Sequence, residues 1–283
     1  MFRVSLVSSV LALGATGALA DAHAGTMGYA LAGDGAQLVM MQDIAEPGNV
    51  TSVDLSTPVW AIAYRPVTGD LLGFGDGAIF TIDPASGEMT DLGASFMDDA
   101  TIADGAMVAL DFNNAIDAVR AVSTGGDNLV YFPDGFGDGD ERAGSVRRFT
   151  HLAYAQGDAM AGTTPMVYAN AYTNAVPGAK ASETFQYALD AETDALISLA
   201  NNDGTLATIG KVTVDGEEVD LAPMGGFDIV SASEGDNMAY AILQMEGAEN
   251  AGLYTIDLET GAATMLADLG MGGITGFAAA KGM

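Results

Sequence analysis

The chain has 283 residues, 49% of them hydrophobic, and no cysteine. That much apolar material excludes a disordered protein, and the missing thiols exclude disulfides, thiolate catalysis and cysteine-ligated metals. Nine basic against 38 acidic residues give a formal charge of −29, a field that repels phosphate and anionic lipid, so nucleic acid and direct membrane binding are not expected.

The chain opens with Met1-Phe2-Arg3, an apolar run from Val4 to Leu19, and a small-x-small site at Ala18-Leu19-Ala20. This pattern predicts a secretory signal over residues 1–20, a periplasmic or secreted protein, and one domain over 21–283. His23 is expected in a disordered N-terminus. Beyond it, short apolar segments alternate with Gly, Asn and Asp, which predicts many short strands and no amphipathic helix. Strands are expected over 28–32, 37–42 and 50–55 without an innermost partner. Four later units each begin with a short strand carrying an aromatic residue: Trp60–Tyr64, Val108–Phe112, Tyr168–Tyr172 and Gly226–Ile229. They recur at about 50–60 residues, the spacing of four-stranded propeller blades. One phrase occurs twice. GAIFTIDPASGEMTDLG over 77–93 and GLYTIDLETGAATMLADLG over 252–270 place Asp83 and Asp257, and Gly87 and Gly261, at matching points of a strand–turn–strand.

The fold class expected is all-β, a β-propeller of five four-stranded blades over 59–93, 107–150, 167–210 and 225–270, with 274–280 closing the N-terminal strands of 26–57. Joining the termini in one blade removes two free sheet edges. A six-bladed ring drawing on 130–166 is the alternative.

Several phrases then align in order: Ala63-Tyr64-Arg65-Pro66 with Thr68-Gly69, Leu110-Asp111-Phe112-Asn113 with Asp117 and Arg120, Ala171-Tyr172-Thr173-Asn174, Asn202-Asp203-Gly204-Thr205-Leu206, Gly226-Phe227-Asp228-Ile229, and Leu253 to Leu258. With these the chain resembles the bacterial domain-of-unknown-function family numbered 4394, over about residues 28 to 280. The resemblance implies a propeller-like fold and no activity. The chain departs from the pattern at Asn114, at 198–201 and in the long charged stretch 133–150.

Candidate chemistry follows from strand alternation. If one register of the innermost strands faces the channel, it brings Arg65, Asp111, Asn113, Asp228 and Thr173 there, while Ile62, Tyr64, Leu110, Phe112, Tyr172, Phe227 and Ile229 pack between blades. Arg65, Asp111, Asn113 and Asp228 are therefore the candidate ligand-binding residues. Their oxygens offer part of a shell for a hard cation such as Ca²⁺, against the plainer reading of a wet channel with an Arg paired to an Asp. The loop Asp134-Gly135-Phe136-Gly137-Asp138-Gly139-Asp140-Glu141 spaces carboxylates on flexible backbone, so Asp134, Asp138 and Asp140 are candidate metal ligands, although the EF-hand order is absent. Arg142, Arg147 and Arg148 form an uneven basic cluster that either pairs with the chain's own acids or meets an anionic partner. Two histidines after the signal, His23 and His151, and no Gly-x-Ser-x-Gly elbow leave little for a hydrolytic triad. The 15 methionines are read as core fillers. The function expected is an exported, non-catalytic binding or scaffold propeller for an unidentified protein or small molecule, with Ca²⁺ as the one candidate cofactor. The alternative is a Ca²⁺-dependent hydrolase or lyase using Asp111 or Asp228 as base.

Overall fold

A computed structural model describes residues 23–282. The expected secretory signal of residues 1–20 lies outside them. Five small sheets form a ring, with one short 3₁₀ turn at Asn201–Asp203 between two strands of one sheet. Blade 1 joins the two ends of the chain: Gly276–Lys281 is innermost and pairs antiparallel with Thr26–Ala32, followed outward by Gln37–Met41 and Val50–Asp54. Blade 2 consists of Ala61–Arg65, Asp70–Gly75, Ala78–Ile82 and Met89–Asp91. Blade 3 runs from Val108–Asn113 through Ala118–Ser123 and Asn128–Phe132 to Ser145–Arg148. Blade 4 contains Val167–Tyr172, Gln186–Asp190, Ala195–Ala200 and Thr205–Lys211. Blade 5 contains Leu221–Ser231, Asn237–Met245, Ala251–Ile256 and Ala262–Asp268.

Five blades are present, and the termini close the ring as the sequence implies. The blades are not uniformly four-stranded. On its way to the next innermost strand, the chain lays Ser95–Phe96 parallel along the outer edge of blade 3, Ala153–Tyr154 along blade 4, and the hairpin Thr213–Val214/Glu217–Glu218 along blade 5. These additions cover edges that would otherwise present unpaired backbone groups. The 130–166 region thus completes blade 3 and adds an edge strand to blade 4 rather than forming a sixth blade.

The doubled phrase is one turn used twice. Gly87 N–H donates to Asp83 O and Gly261 N–H to Asp257 O, both at 2.8 Å. The Asp carboxylates accept Ala85 N–H and Glu259 N–H, both at 2.9 Å. Both glycines have positive φ, +73° and +83°, and a Cβ on either would strike the preceding blade, at 2.4 Å from Asp54 O and 2.8 Å from Lys211 O. Glycine here sets both the turn and the approach between blades.

Both side-chain registers of the innermost strands pack between blades. Ala61 and Ala63 sit with Leu110 and Phe112 of the next blade, Ala169 and Ala171 with Phe227 and Ile229, and Ala278 and Ala280 with Ile62 and Tyr64. Small residues face forward and large ones backward, because five strands converging on an axis leave no room for large side chains on both faces. Gly226 is the limiting case: a Cβ there would lie 2.5 Å from Phe277 N. The expectation that the forward register lines an open channel is corrected on this point. His23 is also not part of a disordered end. It is buried against blade 5, with Nδ1 2.9 Å from the Tyr240 hydroxyl, and burial lowers its pKa.

Candidate functional site

Two places in the ring combine space with chemistry, one at each end. At the end where the innermost strands finish, Asp111 of blade 3 and Asp228 of blade 5 line the same cavity of about 10 Å³ together with Tyr64, Val230, Ala279 and Lys281. Both carboxylates are 5% exposed. Asp111 Oδ2 accepts Tyr172 N–H of blade 4 at 2.6 Å. Asp228 accepts Ile229 N–H at 2.7 Å and Ala279 N–H of blade 1 at 2.6 Å. Each carboxylate therefore ties its strand to the next around the ring. Burial raises the pKa of Asp111 well above the carboxylate range, with the neighbouring Asp228 adding to it, and burial pushes Asp228 up to about 7. The backbone N–H bonds oppose the shift without cancelling it.

The segment 173–185 covers this cavity. Ala175 and Pro177 line it from above. Gly178 N–H donates to Pro66 O of blade 2 at 2.8 Å, and Ala181 N–H to Asn114 O beyond blade 3 at 3.2 Å. Asn174 N–H donates to Asn237 Oδ1 at 2.8 Å, and Ser182 N–H to Glu234 Oε1 at 2.6 Å. The cover is thus fastened to three other blades, and a space of one water remains under it.

Of the four sequence candidates, the fold brings Asp111 and Asp228 together and places the other two elsewhere. Arg65 makes a two-pronged pair with Asp117, Nε–Oδ1 at 2.8 Å and Nη2–Oδ2 at 2.6 Å, bolting blade 2 to blade 3. Asn113 Oδ1 accepts Ala115 N–H within its own turn and the Thr184 hydroxyl of the covering segment, both at 3.1 Å.

In the 133–144 hairpin, Asp140 is gripped by Arg142 through Nε at 2.9 Å and Nη2 at 2.6 Å, which holds its carboxyl down at about 2. Arg142 in turn lies over the rings of Phe132 and Phe136 at 4.8 and 5.0 Å. Asp134 and Asp138 are exposed in the same hairpin, and the described residues contain no group of three or more His, Asp or Glu placed to hold a metal. Arg147 lies 3.6 Å from Glu141. Arg148 is the best-connected of the basic cluster. It donates to Asp127 Oδ1 at 2.8 Å, to Asp99 O at 2.6 Å and to Thr101 O.

Those last contacts lead to the second place. The segment 97–107, which connects blades 2 and 3, forms one wall of a groove of about 700 Å³ at the end where the innermost strands begin. Trp60, the chain's one tryptophan, lines it with Phe74, Phe96, Met97, Ile102 and Met107. Trp60 lies 5.7 Å from Phe74 and Phe74 5.9 Å from Phe96, centroid to centroid, so the floor is a run of three rings. Trp60 also lines an adjoining pocket of about 140 Å³ with Asp34, Met107 and Thr275. The wall is held from behind. Asp127 accepts Ala103 N–H at 3.0 Å, Thr124 Oγ1 accepts Met107 N–H at 3.0 Å, and Arg148 takes the carbonyls of Asp99 and Thr101. The groove has the size and lining of a small-molecule site. Sequence reasoning missed it. The available signal was a lone tryptophan directly before an innermost strand and a linker, Met97 to Met107, too long for a simple crossover.

Among the described residues no helix is long and apolar enough to cross a membrane. The sequence profile of the family described as "Domain of unknown function (DUF4394)" matches residues 37–278. No curated protein sequence matches. Among solved structures, auxiliary nutrient binding proteins from Bacteroides ovatus and Bacteroides thetaiotaomicron are similar at 12% and 13% identity, each with a TM-score of 0.43 over 75% of this chain. The match covers 55% of each of those chains, so this chain spans about half their length. A protein of unknown function from Bacteroides caccae is similar at 8% identity and a TM-score of 0.42, over 91% of this chain and all of the other.

Proposed function

Since the chain belongs to the DUF4394 family, whose description assigns no activity, we propose from its own geometry that it is a non-catalytic binding propeller, with the Trp60 groove as its ligand site. The observation that carries this reading is the groove: about 700 Å³, floored by three rings and walled by a segment clamped onto blade 3. Sites for small ligands are concave, largely apolar and pre-formed, with volumes of about 300–1,000 Å³. The apparent signal at residues 1–20 supports action in the periplasm or outside the cell, with 21–283 as the working domain.

The rival enzymatic reading rests on Asp111 and Asp228. Their convergence and raised pKa values resemble a carboxylate dyad, but the cavity beside them is about 10 Å³ and lies beneath a fastened cover. It offers a substrate no room, and the backbone N–H bonds give both carboxylates a structural task. A Ca²⁺ role has less support still at the 133–144 hairpin, where Arg142 already occupies Asp140.

The test uses the intrinsic fluorescence of Trp60 and the neutral apolar dye N-phenyl-1-naphthylamine. Saturable one-to-one binding that quenches Trp60, and that Thr101→Phe weakens without lowering the unfolding midpoint, supports the groove. Dye binding that leaves Trp60 emission unchanged and is indifferent to Thr101→Phe defeats it.

A further inference from the structure

We propose that the groove selects an organic cation, an aromatic or alkyl body carrying an ammonium or guanidinium group. This rests on the reading of the groove as the binding site and goes beyond it in naming the ligand class. The ionisable side chains that line the groove and its adjoining pocket are Asp76, Asp104 and Asp34; no Lys, Arg or His lines either. All three carboxylates are exposed, and among the described residues none of them has an ion-pair or hydrogen-bond partner. Elsewhere in the molecule, acids near basic groups are used: Asp117 by Arg65, Asp140 by Arg142, Asp127 by Arg148. Arg148 approaches the wall of the groove from behind, but Asp127 at 2.8 Å neutralises it there.

The floor adds a second preference of the same sign. Ring faces carry negative charge density and attract cations, tryptophan most of all. The cation would therefore meet carboxylates at the rim and the Trp60 face below, while its apolar body covers Phe96, Met97 and Ile102. The overall charge of −29 draws such a ligand toward the protein and repels an anionic isostere.

The experiment titrates Trp60 fluorescence of the protein with three matched probes, 4-phenylbutylammonium, 4-phenylbutanol and 4-phenylbutanoate. The cation should bind about tenfold more tightly than the alcohol, equivalent to about 1.4 kcal/mol, and the carboxylate most weakly. Added salt should shrink the advantage of the cation. The double variant Asp76→Asn/Asp104→Asn should bring the cation close to the alcohol while leaving alcohol binding unchanged. Equal binding of cation and alcohol, or an advantage untouched by salt and by the double variant, overturns the ligand class and leaves the groove standing as a site. No response of Trp60 to any of the three overturns both.

Discussion

Replacing Asp228 by asparagine should reverse its effect on stability as the pH is raised. Asp228 is buried, faces Asp111, and has its pKa pushed by burial from 3.8 up to about 7. A carboxylate whose folded pKa lies above its unfolded value takes up a proton on folding. Its contribution is harmless below the unfolded value, and its cost grows as the pH rises, becoming complete above about 7. A shift of that size corresponds to about 4 kcal/mol. Asparagine removes this cost, but its amide nitrogen cannot accept, whereas both oxygens of Asp228, protonated or not, can face the N–H groups of Ile229 and Ala279. Leaving one buried donor unpaired costs about 1–3 kcal/mol. The variant should thus be less stable than the parent by about 1–3 kcal/mol near pH 4 and more stable by a similar margin near pH 8, as the balance of these two terms. Asp111 loses its like-charged neighbour in the variant, which flattens the profile further. Urea unfolding at constant ionic strength across that range measures the crossing. Tyr64 and Lys281 also line the cavity, so Lys281→Met in both backgrounds separates any contribution from the lysine. Two parallel stability curves, offset by a constant amount at every pH, would refute the reasoning.

Gly226→Ala should destabilise strongly, by about 2–3 kcal/mol as in other overpacked sites, because its Cβ would meet Phe277 N at 2.5 Å. Gly48→Ala, where a Cβ meets nothing within 4 Å at an ordinary φ, should be neutral or slightly stabilising, both variants being read by thermal unfolding. Arg148→Met should cost about 3 kcal/mol, in line with broken, partly buried ion pairs, and hydrogen exchange should accelerate first in 97–107, whose carbonyls Arg148 holds. Millimolar Ca²⁺ should raise the unfolding midpoint no more than Mg²⁺ at matched ionic strength; a Ca²⁺-specific rise lost in Asp134→Asn/Asp138→Asn would return the hairpin to consideration as a metal site.

The repeat period, the strands of the four-stranded blades and the closure of the ring were legible in the residue pattern alone. Ala118–Ser123 and Ala78–Ile82 lie where alternation and turn residues place them, and Asp83/Gly87 and Asp257/Gly261 form the same turn because that turn is a local property of five residues. The pairing of Gly276–Lys281 with Thr26–Ala32 was legible because an unpaired innermost strand and an unpaired set of outer strands need each other. The candidate site was legible only in part. Alternation put Asp111 and Asp228 in one register, but their meeting depends on how five strands from distant parts of the chain converge. So does their burial, which Ala175 and Pro177 complete from beyond the end of their strand. Arg65 and Asn113 share the register and go elsewhere, because Asp117 and Thr184 reach them first. The Trp60 groove lies between two blades and a linker and belongs to no single repeat. Turn geometry is written in neighbouring residues; a cavity is written in the distances between residues far apart in the chain, and only the closed ring sets those.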